Sequence, residues 1–130
     1  MKRTLRLTAA ALGAVLLVPI LATTAQADAS DCEENTFCFF YNSNEQGSHT
    51  ALRVRDVPDL AGYTFASPGN GQGQRLKNNA ASAVSNVCMT VTVFYNSNYG
   101  GPRDAFNYRN SGNLVNTYNE NASVIFAKDC

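Results

Sequence analysis

The pentapeptide Phe40-Tyr41-Asn42-Ser43-Asn44 returns letter for letter as Phe94-Tyr95-Asn96-Ser97-Asn98, and the glycine seven places after each Phe, Gly47 and Gly101, keeps the same offset of 54. A second anchor follows in each half, Asn78-Asn79-Ala80-Ala81-Ser82 and Asn119-Glu120-Asn121-Ala122-Ser123. These two lie 41 residues apart, so the first copy carries 13 extra residues between its landmarks. Self-similarity at a period of roughly 40 residues is a fold-level signal and takes precedence over local features. The chain is expected to hold two copies of one motif, about residues 37–87 and 88–127.

The local pattern is β throughout. From Val87 to Tyr95, Val87, Met89, Val91, Val93 and Tyr95 alternate with Cys88, Thr90, Thr92 and Phe94. That period of two, rich in β-branched residues, predicts a strand. Shorter strands are expected over Phe37–Asn42, Thr50–Arg55, Ser82–Val87 and Ser123–Ala127, separated by clusters of Asn, Gly, Ser and Pro. A short helical turn fits Val57–Ala61, with Pro58 near its start. The segment Phe40 to Gly47 suits a sharp hairpin whose tip needs positive φ. Several short strands at this spacing, duplicated, point to an all-β sandwich of two motifs.

Residues 1–27 read as an export signal: Lys2, Arg3 and Arg6 precede an apolar run from Leu7 to Ala22, and Ala25-Gln26-Ala27 gives a small-x-small cleavage pattern. The run is interrupted by Pro19 and falls short of the roughly 20 apolar residues a membrane span needs. A secreted, extracellular product of residues 28–130 is expected, of a size that closes one core and forms one domain. It keeps seven Lys plus Arg against ten Asp plus Glu, a net of −3. Nucleic acid and anionic membrane surfaces are disfavoured as partners, since both call for a basic field.

All four cysteines, Cys32, Cys38, Cys88 and Cys130, lie in that part, an even number in an oxidising compartment. Two disulfides are the natural assignment. Intervals of five, 49 and 41 intervening residues match no zinc pattern. Three pairings are open; the favoured one joins Cys32 to Cys38 and Cys88 to Cys130. In the simple loop-entropy treatment the longer closure would contribute about 4 kcal/mol.

On these landmarks the sequence resembles the βγ-crystallin superfamily. Its Greek-key motif opens with an aromatic residue, six others and a glycine, matched by Phe40 to Gly47 and Phe94 to Gly101. Later it carries an Asn/Asp, Asn/Asp, x, x, Ser/Thr, Ser box, matched incompletely by Asn78 to Ala83 and Asn119 to Val124. With the leader, the cysteines and the segment Asn98-Tyr99-Gly100-Gly101, the chain is most similar to the secreted peptidase-inhibitor (metalloproteinase-inhibitor) family of Streptomyces type. The fold this resemblance implies is a single-domain sandwich of two Greek keys.

The resemblance also implies calcium. Carried over by position, its ligands would be Asn79, the Ala80 carbonyl, Ser82, Glu120, the Asn121 carbonyl and Ser123. Glu120 is the one carboxylate in the boxes, and the closing Ser of each is replaced, by Ala83 and Val124. Affinity falls with lost carboxylates, so binding in the millimolar range of extracellular modules is the expectation. Ser82 and Ser123 have a structural alternative, hydrogen-bonding the folded hairpin of each motif.

No catalytic constellation stands out. The single histidine, His49, lies in a polar stretch with no nucleophile or orienting acid beside it. Glu33-Glu34 and the Asp56/Asp59 pair read as solvated charge, and Asn121-Ala122-Ser123 is a glycosylation triplet lying inside the second box. Phe37, Phe39, Phe40, Phe94 and Phe126 sit on expected strands and belong to the core, whereas Tyr63 and Tyr99 are expected nearer the surface.

The expected function is therefore non-enzymatic: a monomeric inhibitor of an extracellular peptidase, presenting a rigid loop and requiring no cofactor. The loop expected to do this lies in the surplus of the first copy, with Pro58, Tyr63, Phe65 and Pro68 as its contact residues. The alternatives are a calcium-binding module and a killer-toxin-like antimicrobial protein of the same fold.

Overall fold

The computed structural model describes residues 29–130, together with 13–15, 17, 19 and 20. The expected leader, 1–27, therefore lies largely outside the described residues, as does its cleavage point. Each copy of the pentapeptide closes a strand that turns straight back on itself. In the first, β1 (Thr36–Asn42) pairs antiparallel with β2 (Gln46–Arg53), Phe40 opposite His49 and Asn42 opposite Gln46. We number the next strand β3 (Ser82–Ser85). In the second copy β4 (Val91–Asn96) pairs with β5 (Gly100–Phe106), Phe94 opposite Arg103 and Asn96 opposite Gly100, the same register displaced by 54 residues.

The tips are identical in conformation. Asn44, Glu45 and Gly47 have φ of 58°, 54° and 79°, and Asn98, Tyr99 and Gly101 have 58°, 64° and 81°. Gly47 and Gly101 are fixed by space as well as by φ. A Cβ would come within 2.9 Å of the Asn70 carbonyl oxygen at Gly47 and 2.7 Å of the Asn96 side-chain nitrogen at Gly101. Only glycine meets both demands.

Two antiparallel sheets result, ordered β2-β1-β3-β6 and β5-β4-β7, where β6 is Ser111–Asn113 and β7 is Ser123–Phe126. The copies exchange segments. Strand β6 comes from the second copy yet pairs with β3 of the first, and Val57 of the first copy bridges Val124 of β7. The first sheet draws strands from both copies, and the second, whose three strands all come from the second copy, is joined by the first through the Val57 bridge.

The core lies between the sheets. Phe37 sits at its centre, edge-on to Phe39, Phe106 and Phe126 with ring centroids 5.0, 5.5 and 6.3 Å apart. Residues 36–40 of β1 are buried on both faces. The odd-numbered phenylalanines face the main core, while Cys38 and Phe40 face a smaller cluster with Cys32 and Val84. Disulfides join Cys32 to Cys38 and Cys88 to Cys130, with Cα atoms 5.9 and 5.1 Å apart. The first seals the outer face of β1; the second ties the entry to β4 to the chain end.

Several boundaries differ from expectation, each for a physical reason. The strand expected over Val87–Tyr95 starts at Val91, because Val87–Met89 bend to carry the chain between sheets. Strand β5, Gly-Gly-Pro-Arg-Asp-Ala-Phe, lacks apolar alternation because it is an exposed sheet edge, where Pro102 is tolerated. Strand β6 is three residues long and carries no period at all. The helical turn is a 3-10 turn at Leu60–Gly62, capped by Asp59, whose carboxylate accepts from the Ala61 amide at 3.0 Å. Tyr63 and Tyr99 are both half-buried.

Candidate functional site

The two boxes turn out to be the seam between the copies. Ser82 and Ser123 are wholly buried, and each hydroxyl clips a hairpin. Ser82 donates to the Asn42 carbonyl at 2.6 Å and accepts from the Glu45 amide at 3.0 Å. Ser123 donates to Asn96 at 2.7 Å and accepts from the Tyr99 amide at 3.0 Å. The Ala80 carbonyl accepts from the Asn119 amide, and the Asn121 carbonyl from the Asn78 amide, both at 2.9 Å. The Asn79 side chain donates to Arg75 and Lys77 carbonyls at 2.9 and 3.3 Å.

Calcium takes about six to eight oxygens, with carboxylates setting its affinity. Of the six positions named for it, both hydroxyls and both carbonyls are already paired within the fold, leaving the Glu120 carboxylate and the Asn79 amide oxygen. Among the described residues no group of three or more His, Cys, Asp or Glu could hold a metal. With Glu120 as the one carboxylate among the six, the set is sparse in the negative charge that calcium affinity draws on. Asn121, wholly buried, is also sealed off from glycosylation in the folded protein.

The surplus of the first copy is folded onto the body. The Ser67 hydroxyl accepts from the His49 amide at 2.7 Å, and the Ala66 and Ser67 amides donate to the His49 carbonyl at 3.2 and 3.1 Å. Phe65, expected to contact a partner, is 1% exposed and packs edge-on against Tyr41 at 5.4 Å. It is a core residue, which corrects that expectation: a segment this long leaves the sandwich edge uncovered unless it turns an aromatic ring inward. Tyr63 packs partly into the core and its hydroxyl accepts from Arg55 at 3.3 Å. Pro58 and Pro68 are exposed, and the Pro58 carbonyl accepts from the Asn98 amide at 2.8 Å. His49 lies in β2, half-buried, its ring tilted against Phe40 at 5.3 Å.

A second connection escaped notice in the sequence. Val115 is 78% exposed, while the backbone beneath it is held by one side chain. The Asp104 carboxylate accepts from the amides of Val115, Asn116 and Thr117 at 3.1, 3.1 and 2.9 Å, and from the Thr117 hydroxyl at 2.7 Å. The Asn116 side chain adds bonds to Asp104 at 3.2 Å and to the Arg103 carbonyl at 2.9 Å. The available signal was the apolar pair Leu114-Val115 between Asn113 and Asn116; the partnership of Val115 with Asp104, 11 residues earlier, has no sequence signature.

Against this geometry, the model of peptidase inhibitor family I36 matches residues 25–106. The chain belongs to peptidase inhibitor family I36. Within the I36 chain the match spans the end of the expected leader, the whole first copy and the β4–β5 hairpin. The family's fold is seen again in solved βγ-crystallin domains. One, from a study of the evolution of the eye-lens βγ-crystallin domain fold, has a TM-score of 0.55 at 12% identity, covering 72% of this chain and 86% of that one. The N-terminal domain of protein S gives 0.54 at 14%, covering 73% and 99%. A mutant βγ-crystallin domain from Clostridium beijerinckii gives 0.53 at 15%, covering 71% and 97%. At these identities the likeness is one of fold. No curated protein matches the I36 chain.

Proposed function

We propose that this protein is an exported inhibitor of an extracellular peptidase, a metallopeptidase being the first candidate, and that it acts by presenting a rigid surface loop to the active-site cleft. The observation that carries this reading is the family match across residues 25–106. The body supports it: two disulfides suit an oxidising compartment, and interlocked sheets hold surface connections in place before any partner arrives. Among the described residues no helix is long and apolar enough to cross a membrane.

The test is direct. Protein recovered from the medium of an expressing culture is assayed against secreted metallo- and serine endopeptidases. Inhibition at micromolar protein supports the proposal; no inhibition of any of them sinks it. Arrest of yeast or bacterial growth without peptidase inhibition would favour the toxin alternative.

A further inference from the structure

The two copies differ at one connection, and the structure aligns it residue for residue. The Leu60 amide donates to the Ala122 carbonyl at 2.9 Å, and the Leu114 amide to the Ala81 carbonyl at 3.0 Å. These bonds make Leu60 and Leu114 equivalent. The Asn79 amide donates to the Leu76 carbonyl and the Glu120 amide to the Thr117 carbonyl, at 3.2 and 3.0 Å, which makes Leu76 and Thr117 equivalent. Between these points the first copy has residues 61–75 and the second has Val115 and Asn116 alone. The 13-residue surplus therefore occupies the place of the short Val115 connection.

The two solutions present opposite surfaces. The long connection turns Phe65 and half of Tyr63 inward, and none of its large apolar residues is exposed. The short one exposes Val115 at 78% and Tyr118 at 48%, the most exposed large apolar side chains among the described residues 29–130. An exposed valine on a loose loop would signify little. Here three successive amides converge on the Asp104 carboxylate, so the backbone geometry at Val115 is set before any encounter.

We propose that Val115–Tyr118 is the peptidase-contacting loop and that Val115 is its anchor, filling the apolar specificity pocket of an endopeptidase that accepts branched aliphatic side chains. This rests on the inhibitor reading above and names the surface that performs it. A β-branched side chain is stiff at χ1, so little rotamer freedom is lost when it enters a pocket. The locked backbone removes most of the ordering cost that a flexible loop meets on binding. Asp104 is a positioning residue: it stands on β5, paired to β4, and transmits the rigidity of the sheet to the loop.

The experiment measures inhibition constants against a neutral metallo-endopeptidase and a serine endopeptidase that cleave beside aliphatic residues. The proteins compared are wild type, Val115→Asp, Asp104→Asn and, in the other connection, Tyr63→Ala. A central anchor predicts that Val115→Asp weakens inhibition by at least about 30-fold. Its melting temperature should stay within about 2 °C of wild type, since an exposed site contributes little to stability. Asp104→Asn should weaken inhibition less and accelerate hydrogen exchange at the amides of Val115, Asn116 and Thr117, a readout independent of any peptidase. Tyr63→Ala should leave inhibition unchanged. If wild type inhibits but Val115→Asp does so equally while Tyr63→Ala does not, the loop assignment is wrong and the inhibitor reading stands. If wild type inhibits neither enzyme nor any of the wider set, both fall together.

Discussion

The wholly buried side chain of Asn121 accepts the amide hydrogen of Ala80 at 3.0 Å, across the seam between the two copies. The same side chain donates to the Leu76 carbonyl at 2.9 Å. Ala80 is its counterpart in the first copy, so the seam carries one such amide where exact symmetry would place two or none. Asn121→Ala leaves the buried Ala80 amide without a partner, at about 1–3 kcal/mol, and removes one of the two bonds to the Leu76 carbonyl, which keeps the Asn79 amide as its donor. A loss of about 1–4 kcal/mol in urea unfolding is expected, with Asn121→Asp at least as severe because it adds a buried charge.

The two serine clips should behave alike. Ser82→Ala and Ser123→Ala each strand a carbonyl and an amide at a hairpin, with an expected cost of about 1–3 kcal/mol. Because the clips serve different hairpins, the double variant should lose about the sum of the two. Chemical denaturation of the three variants checks this. A cost near zero at either site would show that the tip conformation is held by Gly47 or Gly101 alone.

Calcium should not stabilise the protein. A module with a Kd of about 1 mM would gain roughly 1.4 kcal/mol at about 10 mM calcium, several degrees in melting temperature for a domain of this size. Calorimetry of the apo protein with and without calcium is expected to give no shift beyond about 1 °C. A clear rise would mean that the paired carbonyls and hydroxyls of the boxes accept a cation in addition to their present donors.

Asp59 carries an acid-side signature. Its carboxylate accepts from the Ala61 amide and lies 3.0 Å from the Lys77 ammonium, and these bonds hold its pKa below the ordinary aspartate value. A folded-state pKa below the unfolded one adds stability that is present above the unfolded value and is lost as pH falls through the folded one. Carbon-detected NMR titration should show Asp59 titrating low in wild type and moving upward in Lys77→Ala. Coincident titrations would mean that the ion pair is absent in solution.

The hairpins were legible because their information is local and written twice. An aromatic residue, an Asn-rich tip and a glycine at a fixed interval dictate a turn, and repetition separated that signal from ordinary loops. Strand β5 was not legible, since an exposed edge with Gly100, Gly101 and Pro102 needs no apolar alternation. Phe65 was misplaced for a related reason: within a Gly- and Pro-rich stretch it reads as loop, and only the uncovered end of the sandwich draws it inward. The role of Asp104 depends on β5 lying beside the chain that follows β6, a proximity set by topology rather than by spacing.

The exchange of segments between the copies bears on ancestry. Val57 reaches across to Val124, and β6 reaches back to β3. A chain holding a single repeat would have no sibling to trade with, so it could complete this sandwich only as a pair of identical molecules, each lending its arm to the other. Fusion of two such genes would turn an association that depends on concentration into one that does not. Only after that union could the two arms drift apart, one lengthening until it closed over the body, the other staying short and proud of the surface.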